Sequence, residues 1–402
     1  MLRSIELFAG AGGLALGTAM AGFHALAAVE WNQWACDTLE ENRDAGYPLL
    51  EGIRVVRGDV RAFDYEGLPD ELDLVSGGPP CQPFSIGGKG KGFSDDRDMF
   101  NAFAEVVARV KPRAFIIENV KGLTRASFTN YLQYIELRMA MPEIAPRAGE
   151  EWPHHLRRLE KESTSIGDKG VRYNVLRKLY NAADFGAPQK RERVFIVGFR
   201  EDQDAQWAFP EPTHSLDALL RDQWITGEYW DRHEVAKRQR GAVPSGMSAR
   251  VARLRSINDF GGMAPWRTVR DGIMGLPSPS NGRSEAGVLN HRFQPGARPY
   301  PGHTGSPIDM PSKALKAGDH GVPGGENMMV MPDGSCRYFT AREAARMQTF
   351  PDGYAFHGAW SEIMRQLGNA VPVVLAQAVA SSVAQQLIQA SMIAQAKRMR
   401  MH

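Results

Sequence analysis

The chain has 402 residues, of which 43% are hydrophobic and 23% charged, and its formal net charge is +2. This composition is typical of a soluble globular protein, and the length favours two domains. The small net charge excludes a strongly basic protein, so nucleic-acid binding would require a local basic surface. Three widely separated cysteines, Cys36, Cys81 and Cys336, argue against a disulfide framework and a structural metal site.

The N-terminus lacks a signal-peptide pattern, and no long uncharged apolar run suggests a membrane span. We therefore expect a protein of the reducing cytosol with no membrane partner.

Residues 1–204 alternate short apolar runs with amphipathic stretches, which predicts βαβ units and a mostly parallel, doubly wound α/β sheet. The predicted strands are Ser4–Phe8, Leu26–Glu30, Arg54–Val56, Leu72–Ser76, Ala114–Glu118 and Val194–Gly198, and the predicted helices include Gln33–Asn42 and Met99–Val110. Between Thr124 and Lys169 the sequence becomes charged and contains prolines, which we interpret as a surface insertion.

After residue 204 the composition and periodicity of the sequence change twice. Residues 205–338 are rich in Gly, Pro, Arg and His and have little periodicity, which predicts a small, irregular, β-rich inserted domain. Residues 339–402 resume a helical pattern, with one helix at Thr340–Met347 and a long one from about Val371 to Met399. We expect this last segment to return to the first domain.

The sequence ELFAGAGGL at residues 6–14 places glycines between a predicted strand and a predicted helix. Such a turn lets a ligand approach the backbone, although a tight turn without a ligand or a dehydrogenase using NAD would look similar. Its glycine spacing departs from the dinucleotide-binding pattern, which favours a cofactor without a pyrophosphate. Glu30 can accept from ribose hydroxyls, Trp31 can stack on a base, and Asp59 can accept from an adenine amino group.

The sequence GGPPCQPFS at residues 77–85 follows the strand predicted at Leu72–Ser76. An isolated cysteine is often a small buried residue, but one flanked by Pro, Gln and Ser on a loop is not typical of core packing. A Cys81 thiolate can add to carbon 6 of a pyrimidine and make carbon 5 nucleophilic.

That addition requires help at ring nitrogen 3. Glu118, at the end of a predicted strand, is a candidate for this role, although a carboxylate there can also cap a helix. Arg191 and Arg193, two positions apart on a strand, point to one face and can hold a phosphate, a cytosine carbonyl or Glu118. A solvated charged edge is the alternative for the two arginines.

These residues occur in the order found in a known family. The chain resembles the DNA cytosine-5 methyltransferases of bacterial restriction–modification systems along most of its length. The matching motifs are Phe8 to Gly13, Glu30-Trp31, Gly58-Asp59-Val60, Pro79 to Gln82, Glu118-Asn119-Val120, Gln189-x-Arg191-x-Arg193, Arg342-Glu343 and Gln366 to Pro372.

The resemblance implies an S-adenosylmethionine-dependent methyltransferase fold without a metal, in which S-adenosyl-L-homocysteine is the product. Cys81 is the implied nucleophile, Glu118 acts at ring nitrogen 3, Arg191 and Arg193 organise the pocket, and the cytosine is flipped out of duplex DNA. The implied cofactor-binding residues are Phe8, Gly10, Gly12, Leu14, Glu30, Trp31, Asp59, Val60, Pro80, Met99, Asn369 and Val371.

The resemblance also implies that residues 205–338 recognise the target sequence and that residues 86–97 form a loop that closes over DNA. The expected DNA-binding residues are Gln82, Ser85, Lys89, Lys91, Arg97, Arg292, Lys313 and Leu315. The family often has a Thr-Leu pair where this chain has Ala314-Leu315, which leaves one contact in doubt. The basic stretch Arg232–Arg255 suits phosphate binding, but a solvated helix face explains it equally well.

The sequence also admits three other interpretations. An RNA methyltransferase of the same fold would lack so large a recognition domain, and an NAD enzyme would not need the proline-rich loop around Cys81. A non-catalytic DNA-binding protein is disfavoured by the intact Cys81 and Glu118, and by the absence of an N-terminal extension for a helix-turn-helix. We expect a cytoplasmic monomer whose cognate restriction endonuclease acts on the same site.

Overall fold

The structure is a computed structural model that describes residues 1–69, 71–80, 99–165, 170–244, 246–257, 262–279, 287–301, 304–317 and 325–400. It contains two compact units. Unit 1 comprises Met1–Tyr180, Glu192–Pro210 and Ala376–His402, and unit 2 comprises Asn181–Arg191 and Glu211–Leu375. These limits differ from the predicted segments 1–204, 205–338 and 339–402, since residues 339–375 group with unit 2.

A mixed β-sheet forms the core of unit 1. Its strands are β1 (Leu2–Leu7), β2 (Phe23–Glu30), β3 (Arg54–Arg57), β4 (Leu74–Gly77), β5 (Ala114–Val120), β6 (Tyr173–Asn181) and β7 (Glu192–Arg200). Their order is β3-β2-β1-β4-β5-β7-β6. The first five are parallel and β7 runs antiparallel to β5. The predicted α/β class with a mostly parallel sheet is confirmed.

The central strands are mostly apolar because both faces of the sheet are covered. The sequence Ala-Phe-Ile-Ile at the start of β5 is fully buried, which explains why these strands were recognisable as short apolar runs. Strand β6 was not predicted. It lies at the edge of the sheet, and its mixture of buried and exposed positions breaks the apolar pattern.

The strand order reverses between β1 and β4, with β2 and β3 on one side and β5 on the other. Glu6 pairs with Ser76 and Leu7 with Gly77 at this point. The carboxyl ends of β1, β4 and β5 therefore meet at one edge, and such a reversal opens a crevice for ligands there.

Helices α1 (Gly13–Met20), α2 (Gln33–Asp44), α3 (Phe100–Val110), α4 (Thr129–Ala140) and α5 (Trp152–Thr164) belong to unit 1. The interpretation of residues 124–169 as a surface insertion is wrong for α4 and α5. Tyr131, Tyr134 and Ile135 of α4 share one core cluster with the sheet, and so does Leu159 of α5. The burial follows from helical spacing, which brings these apolar residues onto one face although charged residues separate them.

Unit 2 is irregular, as expected, but its described regular structure is more helical than β-rich. Its strands β8 (His214–Ser215), β9 (Ala264–Pro265), β10 (Ser306–Pro307), β11 (Met328–Val330) and β12 (Cys336–Tyr338) are two or three residues long. Its helices are α6 (Leu216–Arg221), α7 (Glu228–Arg232), α8 (Ser248–Leu254), α9 (Val269–Ile273), α10 (Ala341–Met347) and α11 (Trp360–Asn369). Tyr229 and Trp230 centre a small separate core. The core of this unit is thus formed by buried aromatic side chains and not by a large β-sheet.

The C-terminal helix α12 (Val373–Arg400) packs into unit 1 through its later residues. Arg113, which precedes β5, donates to the Leu387 carbonyl at 2.9 Å and to Ser391 at 2.8 Å. The helical stretch Trp360–Arg400 is long and apolar enough to cross a membrane, but 67% of its most apolar window is buried in the protein. Burial of this kind is typical of a core helix.

Gly17 lets α1 approach α12. A β-carbon at this position would meet the Ala376 side chain and lie 2.7 Å from the Gln377 nitrogen. Gly17→Ala should therefore destabilise unit 1 by roughly 1–3 kcal/mol, as overpacking does. Urea unfolding measures this change, with Gly67→Ala as the matched control because a β-carbon there meets nothing within 4 Å. Equal stability of the two variants would contradict the close approach.

Candidate active site

The glycine-rich turn after β1 has a strained backbone. Phe8 has φ 54°, a left-handed conformation that a bulky residue rarely adopts. Gly12 has φ 89° and caps α1, whose first turn follows directly. Because strain of this kind persists where surrounding structure enforces it, the turn is a candidate ligand site.

Glu30 at the end of β2 fixes this turn. Its Oε2 accepts from the Gly10 nitrogen at 2.8 Å, and its Oε1 accepts from the Asn32 nitrogen at 2.7 Å. Each oxygen can accept a further bond, so the carboxylate remains able to bind hydroxyl groups. The adjacent Trp31 is 73% exposed, which leaves its ring face open to solvent.

Asp59 and Val60 follow β3. Asp59 accepts from the Arg61 nitrogen at 2.8 Å and forms an ion pair with its side chain, and hydrogen bonding to Arg61 lowers the pKa of Asp59. Val60 is buried in the core and its carbonyl accepts from the Tyr65 hydroxyl. The side chain of Val60 is therefore not open to a ligand, and its part in cofactor binding stays a prediction.

The other predicted cofactor residues divide between the two units. Leu14 is buried in α1, Pro80 is exposed after β4, and Met99 caps α3. Asn369 is exposed at the end of α11, and Val371 is buried. Both belong to unit 2, so their part in the pocket stays a prediction.

Cys81 and the predicted DNA-binding residues Gln82, Ser85, Lys89, Lys91 and Arg97 lie outside the described residues. The chain that leads to Cys81 is held in place, because the Asn119 side chain donates to the Pro79 carbonyl at 2.9 Å. Cys36 is no rival nucleophile, since burial raises the pKa of its thiol to about 12.

Glu118 and Arg193 form a buried ion pair at this edge of the sheet. The Arg193 Nε atom lies 2.7 Å from Glu118 Oε1, and the two side chains are only 11% and 9% exposed. Burial lowers the pKa of Arg193, and the negative charge of Glu118 opposes that shift. Gly78 makes room for the carboxylate, because a β-carbon there would lie 3.1 Å from Glu118 Oε2.

Arg191 does not accompany Arg193. It precedes β7, and its guanidinium donates to the carbonyls of Leu315 and Gly368 within unit 2. Gln189 acts alongside it by accepting from the Leu315 nitrogen and donating to the Met347 carbonyl. Arg191 therefore binds carbonyls within unit 2, whereas Arg193 pairs with Glu118 within unit 1.

The described DNA-contact candidates differ in exposure. Arg292 is exposed, and Lys313 donates to the Thr304 hydroxyl at 3.0 Å. Leu315 is only 1% exposed and its backbone is bound on both sides by Gln189 and Arg191. Its side chain is buried, and its part in DNA binding stays a prediction.

Sequence reasoning missed Glu6, Asn119 and Gln189 as functional candidates. All three are buried polar side chains at or beside the motifs, and polar residues are rarely buried without a partner. Glu6 and Asn119 lie within strands β1 and β5, and Gln189 lies shortly before β7, so the sequence alone does not show that these polar side chains are buried. In the described part of the chain, no group of three acidic, His or Cys side chains could hold a metal.

The sequence model of the family C-5 cytosine-specific DNA methylase matches residues 2–140 and 154–385. The chain belongs to this family. It is therefore a DNA (cytosine-5-)-methyltransferase, and the resemblance read from its motifs is confirmed.

The Type II methyltransferase M.PspPI of Psychrobacter sp. (strain TA137) is 33% identical over 390 residues, which cover 95% of this chain and 79% of that protein. The Type II methyltransferase M.Eco47II of Escherichia coli is 31% identical over 387 residues, covering 94% of this chain and 78% of that protein. These relatives support a place in the restriction–modification branch of the family.

Solved structures show the same fold. A putative DNA modification methyltransferase encoded within an E. coli prophage has TM-score 0.59 and 20% identity, covering 96% of this chain and all of that chain. The Dnmt2 methyltransferase of S. pombe has TM-score 0.54 and 17% identity, covering 97% of this chain and 99% of that chain.

Removal of Arg193 should leave the Glu118 carboxylate buried without its cation. Arg193→Met should lower the free energy of unfolding by about 3–5 kcal/mol, as breaking one side of a buried pair does. Adding Glu118→Gln to Arg193→Met should recover part of that loss because the buried charge is then gone. Urea unfolding of the single and double variants measures the coupling, and strictly additive losses would contradict a direct ion pair.

Proposed function

We propose that this methyltransferase transfers a methyl group from S-adenosylmethionine to carbon 5 of a flipped-out cytosine through a covalent bond to Cys81. The observation that carries the proposal is the buried Glu118–Arg193 pair, which lies at the carboxyl edge of the sheet beside the anchored chain leading to Cys81. A carboxyl group held there suits hydrogen bonding to a base that has left the duplex.

The residues of the strained turn fit the proposed cofactor. Glu30 keeps acceptor capacity for the two ribose hydroxyls, and exposed Trp31 beside it offers a stacking surface for adenine. A β-carbon at Gly10 would meet nothing within 4 Å, so the backbone there is open to close approach. When bound, the sulfonium of the cofactor supplies an electrophilic methyl group.

Cys81 and Glu118 would divide the chemistry between them. The Cys81 thiolate forms a bond to carbon 6 of cytosine, while Glu118 holds a proton at nitrogen 3, so that carbon 5 becomes nucleophilic. Arg193 keeps the Glu118 carboxyl in one orientation. After carbon 5 has taken the methyl group, water or hydroxide removes the proton from carbon 5 and the bond to Cys81 breaks.

Flipping is required because carbon 6 lies within the stacked duplex, where a thiolate has no access to it. Unit 2 occupies most of the segment expected to select the DNA sequence. Its exposed Arg292 and the partly buried Lys313 are candidates for DNA contacts. We further propose that the protein acts as a cytoplasmic monomer and protects DNA against a cognate endonuclease.

Cys81→Ser should abolish methyl transfer to duplex DNA. Wild-type protein should form a denaturation-resistant complex with a duplex that carries 5-fluorocytosine. Fluorine replaces the hydrogen on carbon 5 and cannot be removed as a proton is, so the bond to Cys81 does not break. Gel electrophoresis detects the complex, and Cys336→Ser serves as a matched control that should still be trapped.

Methyl incorporation into tRNA, measured in parallel, should stay at background. A Cys81→Ser variant that turns over, or a preference for tRNA over duplex DNA, would overturn the proposed reaction.

A further inference from the structure

Glu6 is a buried carboxyl group to which the proposed reaction assigns no role. It lies on β1, is 2% exposed, and accepts a hydrogen bond from the Ser76 hydroxyl on β4. Burial raises the pKa of Glu6 to about 8, with a smaller contribution from the charge of Glu118, whereas the bond from Ser76 acts in the opposite direction. Glu6 is therefore neutral at neutral pH.

The sheet register places Glu6 and Glu118 on the same face. Glu6 is in register with Ser76, and Ser76 is in register with Ile116 on β5. Neighbours in register point to one face, and Glu118 follows Ile116 by two positions, which returns its side chain to that face. The lack of a β-carbon at Gly78 leaves the carboxylate of Glu118 on the β4 side.

Within the part of the chain that the structure describes, the charged partner of Glu118 comes from β7. Among the described residues, Arg193 from β7 is the cation that pairs with Glu118, and it is itself buried. Strand β4 contributes Ser76, and β2 presents the uncharged Ala28 in register with Glu6. Arg193 balances the charge of Glu118, and burial makes a second negative charge beside it costly.

We propose that Glu6 is a positioning residue for Glu118. The two carboxyl groups act as one buried unit that carries a single negative charge. When Glu6 ionises, its charge makes Glu118 bind more tightly the proton that it shares with cytosine nitrogen 3. The proposal rests on the proposed function for its catalytic meaning. The electrostatic coupling of the two carboxyl groups is independent of the proposed function, because two like charges in one low-dielectric site titrate together.

The raised pKa of Glu6, caused mainly by burial, gives the stability of the protein a defined pH dependence. The folded protein keeps the proton of Glu6 up to a pH of about 8, whereas the unfolded chain loses it near the ordinary pKa of 4.5. Because the native state binds more protons in this window, stability should fall as pH rises through it and level off above it. Glu6→Gln carries no such proton and should not show this fall.

The first experiment needs no DNA. Unfolding of wild type, Glu6→Gln and Ser4→Ala is measured by urea titration from about pH 5 to about pH 9. The folding constant of Glu6→Gln relative to wild type should rise by at least about tenfold between pH 5 and pH 8. Ser4→Ala, a buried polar residue on the same strand, should show a constant ratio. A constant ratio for Glu6→Gln as well would overturn the proposal.

The second experiment reads the effect on Glu118. The rate of covalent trapping by 5-fluorocytosine duplex is measured against pH at saturating cofactor. Below about pH 7 the Glu6→Gln variant should match wild type within about threefold, and above about pH 8 it should be slower by roughly tenfold. Ser76→Ala removes the bond that favours ionised Glu6, so the pH at which Glu6 ionises should move upward in both experiments.

The two readouts separate the possible failures. A merely structural role for Glu6 would slow trapping by one factor at every pH, which would contradict the proposal. Loss of cofactor affinity in Glu6→Gln with an unchanged pH profile would contradict it too. If wild type itself is never trapped, the proposed function fails, while the unfolding experiment still decides whether Glu6 holds the buried proton.

Discussion

The ion pair between Glu118 and Arg193 is the interaction on which the active-site edge of the sheet depends. It joins β5 to the antiparallel strand β7 and holds a carboxylate in a place where water does not screen it. Such a pair contributes little to net stability, because desolvation offsets the attraction. What it provides is orientation, since neither side chain can leave without stranding the other charge.

The topology of the sheet brings the other features of the candidate active site to the same edge. The strand reversal between β1 and β4 brings the strained turn at Phe8 beside the chain that leads to Cys81. Glu30 ties that turn to the end of β2, and Asn119 ties Pro79 to the end of β5. The parallel strands thus fix the positions of these residues, and hydrogen bonds at the strand ends orient the segments that form the candidate active site.

Much of this arrangement could be predicted from the sequence. The α/β class and the family followed from apolar runs and ordered motifs, because central strands and glycine turns leave local signals. The edge strand β6 and the buried helix α4 have weaker local signals, because polar residues lie between the apolar residues that pack against the core. The different destinations of Arg191 and Arg193 were not predictable, because only the tertiary structure shows that β7 begins between them.

The central claim is that Glu118, oriented by Arg193, faces nitrogen 3 of the target cytosine. Bisulfite sequencing of DNA from expressing cells would first give the methylated sequence, and a 5-fluorocytosine duplex of that sequence can then be crystallised in its trapped complex. We expect a Glu118 carboxyl oxygen within about 3 Å of nitrogen 3, with Arg193 still paired with it. A carboxyl group turned away from the ring, with another side chain at nitrogen 3, would contradict it.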